Sequence, residues 1–269
     1  MRNLICMLMI LCLASACAPA GKHSAAAAGG YVVKYARVKP EFNGDWEAYW
    51  NSPAWRQANT VSVDEWSTHS TATRPRARAR VLYDEAGIRL LWKVEDTYVV
   101  ATHSNLQGRV SRDSCVEFFV EPTKPLGYTS FEINAGGTYL WKVHRPADDV
   151  RVVYPPTYKA PEAPTTGSLM LLKVRHSMPA SPIYPPIERP TTWYVELFIP
   201  IEALGSVFPV TAEDLPGAHW RCNFFKVIGS AEDPAVLRHK HYGSWKPIGI
   251  QLNFHQPAKF GDLYFEKKS

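Results

Sequence analysis

The chain has 269 residues, 46% of them hydrophobic and 20% charged, with a formal net charge of +5. That balance supports a packed core and excludes a disordered chain. Lys and Arg are scattered rather than gathered into one patch, which argues against a nucleic-acid partner. The 22 prolines, 9 tryptophans, 13 tyrosines and 11 phenylalanines suit short strands joined by stiff loops better than long helices.

Met1-Arg2-Asn3 and the apolar run 4–13, closed by Ala14-Ser15-Ala16, read as a signal peptide over residues 1–16. The run is too short to remain as a membrane-spanning helix. Cys17 follows at once, and Ala14-Ser15-Ala16-Cys17 resembles a bacterial lipobox with Leu13 displaced by one place. Acylation of Cys17 would tether the domain to a membrane without embedding it. Ala18 is not an acidic retention residue, so the expected location is the outer membrane, facing the periplasm or the cell surface. Residues 17–30, rich in alanine, read as the tether, and residues 31–269 as one domain.

From Tyr31 onward the pattern is strand and turn. Residues 77–83 and 88–94 flank Asp84-Glu85-Ala86-Gly87, the signature of a hairpin. Residues 115–120, 128–134, 138–144, 169–175, 193–199, 220–228 and 261–266 are further strand runs, and only residues 200–204 suggest a helical turn. Proline-rich residues 153–164 and 178–190 interrupt the pattern and read as long loops. Many short strands separated by turns predict an all-β antiparallel sandwich of jelly-roll type.

No Gly-x-Ser-x-Gly elbow, phosphate-cradling glycine loop or His-Glu-x-x-His motif is present. His239 and His241 read as solvated loop residues rather than the start of a zinc site. Arg112-Asp113-Ser114 leads into the run 115–120, where alternation places Glu117 with Cys115 and Phe119 on one face and Val116, Phe118 and Val120 on the other. A carboxylate among bulky apolar groups needs a ligand or a partner. The partner could be an arginine of residues 77–80, and both readings stand. Glu132 and Asn134 share a face of the next strand, where carboxylate and amide can grip hydroxyls. Trp141, Trp193 and Trp245 are candidate stacking platforms, with Trp245 preferred because residues 242–247 show no strand period. Cys115 and Cys222 read as two buried thiols, with one disulfide as the alternative.

Several ordered segments resemble family 9 carbohydrate-binding modules. They are Asp113-Ser114-Cys115-Val116-Glu117-Phe118-Phe119, the Phe131-Glu132-Ile133-Asn134 core of residues 128–137, and residues 193–200, 220–226, 244–247 and 254–261. Phe42-Asn43-Gly44-Asp45-Trp46 and Pro53-Ala54-Trp55 are similar to the family's opening. The resemblance spans about residues 31–265 and implies a sugar-binding β-sandwich carrying structural calcium. It places Asp113 to Glu117, Asn134, Lys226 and Trp245 in the family's characteristic segments.

The expected function is non-catalytic binding of an oligo- or polysaccharide. Trp245 would stack on the sugar, and Arg112, Asp113, Glu117, Glu132, Asn134 and Lys226 would address hydroxyls. A glycoside hydrolase or a transporter would be the protein partner. Two other classes remain open. One is a haem-binding electron-transfer relative with Met170 or Met178 as axial ligand beside a Lys or His. The other is a glycoside-cleaving enzyme drawing on Asp113, Glu117 and Glu132. Calcium would come through Asp45, Asp96 or other loop carboxylates.

Overall fold

The computed structural model describes residues 29–71, 73–146, 162–229 and 233–268. The signal peptide, Cys17, most of the tether and most of the first proline-rich stretch lie outside the described residues.

Two central hairpins set the architecture. In the rear sheet, β4 (Arg76–Asp84) and β5 (Gly87–Asp96) form the hairpin expected around residues 84–87. Gly87 has φ +148, and a Cβ there would fall 2.2 Å from the Ile199 carbonyl oxygen, so the close approach of the next strand requires glycine. That strand, β12 (Thr191–Pro200), pairs with β5 along its full length, and β10 (Lys173–His176) closes the edge. In the front sheet, β7 (Cys115–Glu121), β8 (Tyr128–Asn134) and β9 (Tyr139–His144) form a meander. The long strand β13 (His219–Ile228) pairs antiparallel with β7.

Short strands complete both sheets. β2 (Thr60–Val63) lies on the free edge of β4. β14 (His241–Ser244) and β15 (Gly261–Phe265) share the free edge of β13, and β3 (Glu65–Trp66) pairs with β14. The first strand, β1 (Tyr31–Tyr35), joins the two layers: residues 31–33 run parallel to β15 in front, and residues 34–35 parallel to β4 behind. The sheets enclose one apolar core. Val81, Leu90, Trp92, Trp193 and Val195 meet Val116, Phe118, Phe131 and Phe224 across it.

The helices are short. α1 (Trp46–Trp50) starts at Asp45, whose carboxylate accepts from the Ala48 amide at 2.9 Å. α2 (Pro53–Arg56) starts at Ser52 with Pro53 at its first turn. Both pack on the outer face of the rear sheet, where Tyr49, Trp50 and Trp55 cover Leu82, Leu91 and Tyr194. α3 (Thr166–Leu171), α4 (Ile201–Gly205) and α5 (Pro234–Leu237) cap loops, with α4 falling on the predicted helical turn.

Two expectations about irregular segments need correction. Residues 178–190 are not one loop. Residues Ile183–Ile187 form β11, which pairs with β6 (Val99–Ala101) in a separate two-stranded sheet. Pro185 and Pro186 are tolerated because β11 is paired on one side only. Residues 242–247 likewise begin inside β14, and Trp245 is the residue after it.

Candidate functional site

The outward faces of β7, β8 and β13 bring Glu117, Phe119, Glu132 and Val227 to one cavity of about 400 Å³. Strand alternation accounts for these positions. Val116, Phe118 and Val120 enter the core, and Cys115, Glu117 and Phe119 are left on the outer face. Tyr242 of β14 forms one wall, and Ser111 and Arg112 of the 3₁₀ turn Val110–Arg112 form another. Leu252, Asn253, Phe254 and His255, from the loop after β14, make the lip. Phe254 stacks on Phe225 with ring centroids 4.2 Å apart, and the His255 ring lies 5.1 Å from Phe119. The Tyr128 hydroxyl is 2.8 Å from His255 Nδ1, which anchors the lip to the sheet.

Glu117 and Glu132 are direct cross-strand partners. Opposed residues in an antiparallel pair hold their Cβ atoms about 5 Å apart, so two carboxyl groups stand side by side. Both are buried, at 2% and 6% exposure. Burial first, and then the neighbouring Glu132 charge, push the Glu117 carboxyl well above its usual range, against a weaker pull from Lys226. Burial raises Glu132 to about 7, opposed by Lys142 and by a hydrogen bond from Ser111. The arginines of residues 77–80 do not serve Glu117. Arg78 pairs with Glu95 at 2.9 Å, and Arg80 donates to the Trp50 carbonyl oxygen at 2.6 Å.

The other expected site residues lie elsewhere. Arg112 lines this cavity and a neighbouring one of about 320 Å³. Asp113 also lines that second cavity, but its carboxylate is saturated. It accepts from the Thr102 amide and hydroxyl, both at 2.9 Å, the His103 amide at 3.0 Å and Asn134 Nδ2 at 2.8 Å. Asn134 is fully buried; it also donates to the His103 carbonyl oxygen and accepts from the Thr138 amide, both at 2.9 Å. Together they clamp the loop after β6 to the front sheet.

Lys226 points the opposite way from Glu117, into the sandwich interior. It is fully buried, 3.4 Å from Asp96 Oδ2, and donates to His241 Nε2 at 2.8 Å. His241 is therefore not a solvated loop histidine. It sits on β14, donates from Nδ1 to the His239 carbonyl oxygen at 2.9 Å, and is kept neutral by burial and by the Lys226 charge. His239 stacks on Tyr98 at 3.7 Å.

Trp245 lines a third cavity, of about 440 Å³, with Gly30, Asn59, Asp64 and Glu65. Its ring meets Phe224 edge-on at 5.8 Å. It shares no cavity with Glu117 and Glu132, so the seven expected residues do not converge on one ligand. Trp141 and Trp193 are core residues. Sequence reasoning missed Tyr242, Asn253, Phe254 and His255, because a four-residue strand and the loop after it carry no periodic signal. Their nearest trace is the family-like segment starting at residue 254.

The cofactor expectations can be tested on the same geometry. Asp45 is spent as a helix cap. Asp96 pairs with Lys226 and accepts the Thr97 and Tyr98 amides at 2.8 and 3.2 Å. Among the described residues no group of three or more His, Cys, Asp or Glu could hold a metal ion. Met170 is 69% exposed and Met178 packs against the core; neither lines the three cavities. Cys115 and Cys222 are free buried thiols on opposite faces of adjacent strands.

Comparison with known proteins gives a consistent picture. No curated protein matches the sequence. In fold, the chain is similar to a Bacteroides uniformis protein proposed to bind carbohydrate, with TM-score 0.67, 24% identity, and 88% of this chain and 100% of that one covered. It is also similar to a family 9 carbohydrate-binding module from Caldicellulosiruptor kristjanssonii in complex with cellotriose, with TM-score 0.55, 13% identity, and coverage of 89% and 94%. The module from that organism in complex with glucose gives 0.54, 12%, 88% and 97%. Residues 53–157 match the sequence model of carbohydrate-binding family 9, and the β-sandwich around them is the fold of that family's solved modules.

Proposed function

We propose that the chain is a non-catalytic carbohydrate-binding module whose ligand lies in the cavity over β7, β8 and β13. The observation that carries this reading is the composition of that cavity. Glu117, Glu132 and Asn253 offer hydrogen-bonding groups at the base and lip, and the rings of Phe254 and His255 line the lip above the buried rings of Phe119 and Tyr242. A pyranose has the same division, with a hydroxyl rim and an apolar face. The family match and the cellotriose complex of a similar fold support the ligand class.

The glycosidase reading is weaker. Acid and nucleophile must flank the scissile bond, whereas Glu117 and Glu132 rise from adjacent strands on the same side of any ligand, and Asp113 is consumed by four donors. The anchoring proposal rests on the sequence. Acylation of Cys17 would hold the module at the outer membrane, where it would present glycans to a glycoside hydrolase or a transporter.

Affinity measured on a neutral glycan panel tests the site. Phe254→Ala should weaken binding at least about tenfold, the scale of one lost stacking contact. Trp245→Ala should leave affinity unchanged and lower thermal stability, because its ring packs on Phe224. The reverse pattern would move the site to the Trp245 cavity.

A further inference from the structure

Buried carboxylates in this molecule generally have a partner. Glu196 is held by Arg175, Asp96 by Lys226, and Asp113 by four donors. Glu121 has only Arg221, at 3.9 Å, and Glu117 has less. It is 2% exposed, faces the 400 Å³ cavity, stands against a second carboxyl, and has no hydrogen-bond or ion-pair partner among the described residues. A buried acid with no counter-charge holds its proton until a positive group arrives to stabilise the carboxylate, so the arrangement is suited to a ligand that brings the charge.

We infer that the cavity takes a glycan carrying a free amino group, a glucosamine-type unit whose ammonium sits between Glu117 and Glu132. This rests on the carbohydrate-binding reading above and names the sugar class. Three features fit an ammonium better than a hydroxyl. Two carboxyl oxygens from adjacent strands can accept from one –NH₃⁺, and such charge-assisted bonds are about twice as strong as neutral ones. The Phe254 and Tyr242 rings line the same cavity, and an aromatic wall favours a cation over a neutral group. The charged groups around the pair leave its base unneutralised. Lys142 on β9 acts at a distance, Lys226 lies beneath the sheet paired with Asp96, and Arg112 at the wall is itself engaged. Cys115, buried on the same face of β7, holds its proton, and Tyr242 and His255 complete the titratable surroundings.

The chain's formal net charge is +5, so its overall field opposes a cationic glycan, and any preference for one must arise locally. Protonation of the pair should compete with the ammonium. Affinity for the amino sugar should therefore fall on acidification below neutrality, while affinity for a neutral sugar of the same length should not.

The test is calorimetric titration of the purified chain with a β-1,4-glucosamine oligomer, its fully N-acetylated counterpart and a cello-oligosaccharide, all of equal length. The expected result is binding of the free amine at least about tenfold tighter than either neutral oligomer. Glu117→Gln and Glu132→Gln should each bring that ratio close to one. The ligand comparison needs no variant, so a folding defect in either one leaves the test intact. Equal affinities for all three oligomers would overturn the amino-sugar assignment and leave carbohydrate binding standing. No heat with any oligomer would overturn both. Saturable calcium binding that Glu117→Gln removes would also overturn the assignment, by showing that the missing charge is a metal.

Discussion

The two outer faces of the sandwich carry buried acids in opposite ways. Behind, Glu196 on β12 receives Arg175 Nε at 2.7 Å and the Tyr49 hydroxyl at 2.8 Å. Lys93 on β5 reaches Glu47 at 2.5 Å, and α1 and α2 close over the whole patch. Every charge named there has a counter-charge contributed by this chain. In front, two acids face each other across β7 and β8 beneath an open lip. Burial with internal pairing builds structure, whereas burial without it leaves a demand that a ligand can meet. That contrast is the reason for proposing the front face as the binding face.

The contrast can be broken most forcefully from behind. Arg175→Met should leave Glu196 buried with only Tyr49, at a cost of about 2 kcal/mol. That is below the usual 3–5 for a broken buried pair, because Arg175 is 44% exposed. An unchanged melting temperature would mean that the rear charges are not coupled.

Glu132→Gln probes the front face through pH. The folded carboxyl keeps its proton up to about 7, against 4.5 for an ordinary Glu. Its stabilising contribution is therefore fully present below pH 4.5 and is lost as pH rises through 7. The substitution should remove that loss, so the variant should be more stable than wild type at pH 8 by about 1–2 kcal/mol and nearly equal at pH 4.5. Denaturant titrations at the two pH values decide it, and a variant that is less stable at pH 8 would contradict the uncompensated burial of Glu132.

The smallest expected effect sharpens the rear face. Glu47 is lowered to about 2 by Lys93 first and then by Tyr194, so its contribution is present above pH 4.5 and fades as pH falls towards 2. Because the Glu47 side chain is 57% exposed, Glu47→Gln should cost less than about 1 kcal/mol at neutral pH, read from the same denaturant titrations.

Much of the sandwich was legible in local pattern. Period-two alternation put Val116, Phe118 and Val120 on the core side and Glu117 outside, and the turn residues 84–87 announced the central hairpin. Short strands were harder. β14 offers four residues with a glycine inside, and β11 contains two prolines; neither has the length to show a period. His241 was misread for the same reason, since its burial depends on the pairing of β14 with β13, while Lys226 turns inward on the ten-residue β13, on the face of core residues Cys222 and Phe224.

By itself, then, the sequence determined which residues alternate, where the main turns fall and which carboxylates stand among apolar neighbours, all properties carried by residues within a few positions of one another. Only the tertiary structure decided that Glu117 faces Glu132, that Asp113 and Asn134 spend their polar groups on each other, that Lys226 turns inward to Asp96, and that Phe254 rather than Trp245 borders the acidic pair. Each of these depends on strand register and loop docking between residues far apart in the chain, and a one-residue shift in register would send every side chain of a strand to the other face.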